Sequence, residues 1–465
     1  MNGTHNRWPI GAHMQLGAFL LCLLCIDTAA AEIRTITSTG EYRMGDNDTR
    51  TDAKRLALLD AKRLALEQAG TYVESVTQVK NLNLTAEEIR AYTAGIVEVT
   101  ELATLTSMEG ETTVVRVDVS IKIDTDMMAQ QINALRKNEM AKRRLLEAEI
   151  EASKLRKELE AKTLELRVLK GRGEVEEVAR QREKLITHTS VNNLVTRAWG
   201  IFAASRFEKP SAKERKAVRS LAQQALVLDP FDPSAHMILG LCFYYEKSYD
   251  AAIREYRSAI RYASDYALSI HFTARVHGLL GHALWDKGEH SGAITQYRTM
   301  LQLESGFPLD HKTLGLWLAD TGDLSGAIEE FRFALRQDAT DPEAHLFLGD
   351  ALDMAGDPTG ALRELRSTLL LNPNEAVAYT AHKRLADVLA ETANFTDALA
   401  EYHLVLSLKP EVVEFHYRIA DMLMALGNLS EAVKEYREFL RLAPDTPDNR
   451  PFIKQVQVKL RELER

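Results

Sequence analysis

Cysteine is scarce in this chain: there are three in 465 residues, and two of them, Cys22 and Cys25, fall within the first 31. A chain cut after that stretch keeps Cys242 alone, which excludes an intramolecular disulfide and leaves a small hydrophobe between Leu241 and Phe243. Long apolar runs are also missing. The run from Leu16 to Ile26 has eleven residues, against the roughly 20 a spanning helix needs. No later run approaches that length, so the chain after residue 31 is expected to lack a membrane span. A strong charge of one sign is absent as well: the net charge is −9, and only residues 127–190 are mildly basic, with 15 basic against 11 acidic side chains. Such a field argues against nucleic acid as the partner.

Catalytic and metal-binding patterns are missing in the same way. His277 and His282 are five apart, which turns them away from the i, i+4 spacing of a helical metal pair. Asp46-Asn47-Asp48 opens like a calcium loop but continues Thr49-Arg50-Thr51 without the required Gly, and reads as a polar turn before a helix. Gly171-Arg172-Gly173 lacks the Gly-Lys-Ser/Thr of a phosphate loop, and no nucleophile elbow is present. The expectation is a non-enzyme with no cofactor, metal or catalytic residue.

The N-terminus has the form of an export signal. Arg7 is the one basic residue ahead of the apolar run, and Ala29-Ala30-Ala31 supplies small residues before Glu32. Residues 1–31 therefore read as a secretory signal peptide, the alternative being an uncleaved interfacial anchor. Leu before each early cysteine argues against lipidation. An exported, disulfide-free chain fits a periplasmic or secreted location.

Residues 32–126 alternate strand and helix patterns. Thr35 to Tyr42 and Thr71 to Lys80 read as half-buried strands, rich in Thr, Val and Tyr. Between them Asp52 to Ala69 reads as a helix whose Ala53, Ala57, Ala61, Ala65 and Ala69 form a small-residue stripe able to lie close against a sheet. Thr85-Ala86-Glu87-Glu88 is a capping box, and Ile96 to Ser107 and Thr112 to Ile123 read as a hairpin turning at Glu109-Gly110-Glu111. The expected order is β-α-β-α-β-β, a small α+β domain. Asp52-Ala53-Lys54-Arg55-Leu56-Ala57, Tyr72-Val73-Glu74-Ser75, Leu84-Thr85-Ala86-Glu87-Glu88-Ile89 and Ala94-Gly95-Ile96-Val97 resemble a family of exported bacterial domains, the LPP20-type lipoproteins and the N-terminal domain of the flagellar assembly protein T. That resemblance implies an envelope-located interaction element without catalytic residues.

Residues 127–190 form a charged, Ala- and Leu-rich helical spacer. Leu145, Ala152, Leu159 and Leu166 at heptad position a place Ala141, Ala148, Leu155 and Leu169 at d, with Asn138 and Lys162 interrupting. A coiled coil, able to make a homo-oligomer, and a single solvated helix both remain open. Gly171-Arg172-Gly173 breaks the helix.

Residues 191–465 repeat one register. Gly240, Gly281, Gly315, Gly349, Ala386 and Ala420 are spaced 41, 34, 34, 37 and 34 residues apart. Each is followed after three residues by an aromatic or Leu, after twelve by Ala and after sixteen by an aromatic or Leu, as in Phe243, Ala252 and Tyr256. Gly288, Gly322, Gly356 and Gly427 supply turns, and Pro373, Pro410 and Pro444 end helices. This pattern resembles the tetratricopeptide repeat: six clear hairpins from residue 233, a degenerate one before them and a capping helix over Phe452 to Leu463. The seven extra residues after the first copy are expected to lengthen a helix pair. The whole chain thus reads as multidomain: a small α+β domain, a long helical spacer, then an all-α solenoid.

In this repeat type the partner-binding face is lined by the first helix of each hairpin, at the position after the small residue and three and four beyond that. The resemblance marks Leu241, Tyr244, Tyr245, His282, Trp285, Asp286, Leu316, Ala319, Asp320, Asp350, Asp353, Met354, Asp387, Ala390, Glu391, Asp421, Met424 and Ala425. The face passes from aromatic to acidic. It would complement a protein or peptide with apolar anchors followed by Lys or Arg. The function expected is an exported interaction scaffold of the bacterial envelope; the alternative is a structural subunit of an envelope secretion or motility complex.

Overall fold

The computed structural model describes residues 33–75, 84–137, 139–204, 210–266, 268–304, 306–444, 446 and 449–463. These fall into two compact units: the described residues up to Ile150 with Leu164–Glu176, and Glu151–Thr163 with the described residues from Glu177 onward. Residues 1–32, which carry the export signal of the sequence reading, lie outside the described residues.

In the first unit, β1 (Ile33–Arg43), β2 (Val99–Glu109) and β3 (Thr112–Asp124) form an antiparallel sheet of order β1-β3-β2, with α1 (Arg50–Ser75) across β1 and β3. The alanine stripe sets the distance between layers. Ala53, Ala57, Ala61, Ala65 and Ala69 have no exposed surface, and α1 lies so close to β1 that a Cβ on Gly40 would sit 2.2 Å from the Ala57 carbonyl oxygen. Helix α1 continues to Ser75, so residues 71–75 of the expected second strand are helical. The stripe explains this: Val73 follows Ala69 by four residues and is buried on the same face, so packing overrides the strand propensity of Thr71, Tyr72 and Val73. The rest of that expected strand, residues 76–80, lies outside the described residues. Helix α2 (Ala86–Ile96) begins at Thr85 with the expected capping box closed by Glu88.

Helix α3 (Thr125–Lys137) leads to α4 (Glu139–Val168). Asn47 binds the end of α4, its side-chain amide donating to the Leu166 and Leu169 carbonyls at 2.8 and 3.1 Å. Asp48 accepts from the Tyr42 hydroxyl and the Gly45 amide, so the calcium-like triplet is a polar turn, and Thr49 after it caps α1 by accepting from the Asp52 amide. Leu145, Leu155, Leu159 and Leu166 of the heptad seam are already buried in one copy of the chain. A coiled coil between copies through this seam would have to displace whatever buries it.

The second unit is helical. After the Lys170–Gly171 break, α5 (Arg172–Ala204) and α6 (Ala212–Leu228) precede six hairpins, and α6 packs on the first of them. Their first helices, termed A, are α7 (Pro233–Tyr245), α9 (Ile270–Lys287), α11 (Pro308–Asp320), α13 (Pro342–Met354), α15 (Glu375–Glu391) and α17 (Glu414–Ala425). The second helices, B, are α8 (Tyr249–Ala263), α10 (His290–Leu303), α12 (Leu324–Gln337), α14 (Pro358–Leu370), α16 (Phe395–Leu408) and α18 (Leu429–Leu442). Helix α19 (Arg450–Leu463) closes the array. Four of the seven extra residues lengthen the start of α9, which begins eleven residues before its anchor where α11 and α13 begin seven before theirs, and the rest lie in the last turn of α8 and the connection from it.

Each glycine anchor lies against helix B of its own hairpin. A Cβ on Gly240 would meet the Tyr256 ring at 2.6 Å, and one on Gly315 the Phe331 ring at 2.5 Å. The turns require positive φ, at 93°, 86°, 80° and 79° for Gly288, Gly322, Gly356 and Gly427. In the first and fifth hairpins the same place is taken by Lys247 and Ala393, both at φ 60°, where a Cβ is strained.

Candidate functional site

Subtracting the anchors and their helix-B partners leaves the exposed face of the A helices. Neighbouring A helices touch there, α7 with α9, α11 with α13 and α13 with α15. At the first end Tyr244 of α7 donates its hydroxyl to the Asp286 carboxylate of α9 at 2.7 Å. Burial first, and that carboxylate second, hold the Tyr244 phenol well above its ordinary range. Tyr245 packs at 5.4 Å on Phe202 of α5, and Leu241 is buried beneath this layer.

The next A helices make an aromatic stack. Trp285 lies parallel to Trp317 at 4.7 Å and 4°, and His290 covers its other face at 4.2 Å and 20°. His282 sits edge-on to Tyr297 and Trp317, and burial pushes its imidazole pKa down. Both faces of Trp285 are thus occupied within the chain, leaving its edge to a ligand.

The acidic end is partly neutralised from inside. Asp350 pairs with Arg384 of the next A helix at 3.3 Å, while burial raises its carboxyl to about 6. Asp387 accepts the Tyr402 hydroxyl at 2.7 Å. Asp421 accepts the Tyr436 hydroxyl and an ammonium hydrogen of Lys459 at 2.5 Å. Among the described residues no such partner meets Asp320 or Glu391, which are exposed, or the half-buried Asp353. Leu316 and Met354 add exposed apolar surface, 38% and 63% exposed. The seven acids named from the sequence therefore split into two sets: Asp286, Asp350, Asp387 and Asp421 are satisfied internally, and Asp320, Asp353 and Glu391 have no such partner among the described residues.

Two features escaped the sequence reading. One is the cations facing the acids, Arg384 and Lys459. The other is a ladder of six imidazoles: His236, His277, His311, His345, His382 and His416 each stand four residues before an anchor and bond through Nδ1 to a helix-B acceptor nineteen residues on. The acceptor is a glutamate in every hairpin but the second, where it is Gln296, and the distances run from 2.5 to 2.8 Å. The recurrence of His at one register position was the available signal. These bonds tie helix A to helix B and do not converge on a ligand. Among the described residues no group of three or more His, Cys, Asp or Glu could hold a metal ion, and no helix is long and apolar enough to cross a membrane. Cys242 is buried, and that burial pushes its thiol up to about 12, so it packs as a hydrophobe.

The array consists of tetratricopeptide repeats. Residues 318–385 match one tetratricopeptide-repeat family, and residues 215–267 and 383–447 match a second. Among solved structures, the chain is similar to the C-terminal part of a repeat-containing protein from Cytophaga hutchinsonii, with 18% identity over 50% of this chain and 92% of that one, at a TM-score of 0.44. It is similar to PilF of Pseudomonas aeruginosa, with 20% identity over 50% and 99% of the two chains and a TM-score of 0.38. It is also similar to YrrB, described as a repeat protein with an unusual peptide-binding site, with 18% identity over 41% and 91% and a TM-score of 0.35. No curated protein matches the chain, and no catalytic family is among the family matches.

Proposed function

We propose that the protein is an exported, non-catalytic scaffold of the bacterial envelope that holds a peptide or protein partner on the A-helix face of its repeats. The carrying observation is the split among the acids. A face serving only as a solvated surface has no need of two sets, yet here four carboxylates are satisfied within the array while Asp320, Asp353 and Glu391 have no such partner among the described residues and Leu316 and Met354 are exposed. A partner bearing apolar anchors and Lys or Arg matches that surface in both chemistry and sign. Export is supported by the pattern of residues 1–31 and by the resemblance of residues 32–126 to exported envelope domains.

The test is affinity capture from the native envelope with the tagged full chain and with Asp320→Lys/Asp353→Lys/Glu391→Lys. Loss of the captured partner, with helical circular dichroism unchanged, is the expected result. An identical captured set from both proteins would remove the A-helix face from the function.

A further inference from the structure

The last repeat already holds a lysine. The ammonium of Lys459, on α19, lies 2.5 Å from the Asp421 carboxylate and 3.2 Å from the Tyr436 hydroxyl. The same nitrogen is 5.1 Å from the centroid of the Tyr417 ring and 5.4 Å from that of Tyr436. One carboxylate, the Tyr436 hydroxyl and the Tyr417 ring around a single cation is the chemistry that recognises an alkylammonium. We infer that Asp421, Tyr417 and Tyr436 form a lysine-recognition site at the end of the A-helix face, which α19 keeps closed by inserting Lys459.

Two comparisons within the array separate this contact from ordinary repeat packing. Asp350 occupies the same register position as Asp421, one past its anchor, and takes its cation from the next A helix, as Arg384 at 3.3 Å. Asp421 is served instead by a helix that lacks the repeat register. That helix is lightly attached: of its fourteen residues only Val456 and Leu460 are buried, while Phe452 and Val458 are 46% and 51% exposed. A terminal helix with so little apolar burial opens at low cost compared with the hairpins beneath it. Once it opens, the carboxylate and both rings remain in place on α17 and α18, ready for a lysine from a partner. The ligand class is a lysine side chain on a protein or peptide.

The inference rests on the A-helix face being the partner surface, but its test uses the chain's own helix as ligand, so the two readings fail separately. The probe is a labelled peptide of residues 450–463, followed by fluorescence anisotropy against the full chain. Val456→Asp/Leu460→Asp undocks the resident helix and is expected to bind the peptide at least tenfold more tightly than the wild-type protein. Replacing Lys459 by Met in the peptide, or adding Asp421→Asn to the undocked protein, is expected to cost at least tenfold. Equal binding by wild-type and undocked proteins overturns the closing role of α19, and equal binding of the Lys and Met peptides overturns lysine recognition. A second measurement needs no destabilised variant: in the wild-type chain, amine acetylation read by mass spectrometry should modify Lys459 at least tenfold more slowly than exposed Lys454. Asp421→Asn should close that gap, and equal rates in the wild-type protein refute the site.

Discussion

Tyr256, Tyr297, Tyr402 and Tyr436 occupy the same helix-B position, sixteen residues past their anchors, yet their hydroxyls fare differently. Tyr402 donates to Asp387 and Tyr436 to Asp421, each acceptor one past the anchor of the same hairpin, and Tyr297 reaches Asp310 at 3.2 Å. In the first hairpin Leu241 stands where those aspartates stand, and the Tyr256 hydroxyl, fully buried, has no acceptor among the described residues. Removing an oxygen bonded to a carboxylate loses about 1.5–3 kcal/mol, whereas removing a buried orphan oxygen recovers a desolvation cost of about 1–3 kcal/mol. Tyr402→Phe and Tyr256→Phe are therefore expected to move stability in opposite directions. For an array of this size about 2 kcal/mol corresponds to roughly 4–8 °C in Tm. Thermal unfolding of the full chain, followed at 222 nm, compares the two variants with the wild-type protein. A fall in Tm for Tyr256→Phe as large as that for Tyr402→Phe would refute the reasoning, since it would mean that the Tyr256 hydroxyl is satisfied after all.

Two further outcomes are expected. Lys247→Gly and Ala393→Gly relieve the φ 60° strain at the first and fifth turns, and each should stabilise the array by about 1 kcal/mol in urea unfolding, because the left-handed cost of a Cβ exceeds the extra chain entropy of glycine. Asp350 has its carboxyl raised from 3.8 to about 6, chiefly by burial, so the folded state holds a proton there that the unfolded state releases. The stability this gives is complete below about pH 4, falls as pH rises towards 6 and is absent above. Asp350→Asn should accordingly be the more stable protein at pH 7.5, with the advantage gone by pH 4; a gap independent of pH would show that the carboxyl is not raised.

The legibility of this fold followed from its periodicity. Six anchors in one register announce the hairpins, because each glycine among them packs on one helix-B residue sixteen positions on and little else is needed to place it. Where an element depends on packing across longer distances, the sequence says less. Thr71-Tyr72-Val73 has strand propensity, and only the alanine stripe seated against Gly40 shows why the helix runs on to Ser75. The heptad seam of α4 carries the same lesson: its leucines are buried as their spacing requires, but spacing does not say whether the surface burying them belongs to the same chain. In the candidate site, register identified which residues face outward from helix A. It could not show that Tyr244, Arg384, Tyr402 and Lys459 meet four of the seven acids, since those partners lie on other helices.

That compensation changes what selectivity means for this surface. A uniformly acidic face would attract any basic chain at low salt and release it at high salt, which gives steering but little discrimination. Here the carboxylates one past the anchors are committed to internal partners, and the unpaired charge is reduced to Asp320, Asp353 and Glu391, with exposed Leu316 and Met354 on the same helices as the first two. A partner must then place each cation at one of those carboxylates and its apolar side chains on Leu316 and Met354, because a misplaced cation meets an acid already neutralised and is desolvated without return. Spacing along the partner, more than its net charge, is what such a face reads. The Lys459 contact fits the same logic: the carboxylate in the last hairpin of the array is one the chain covers with a lysine of its own.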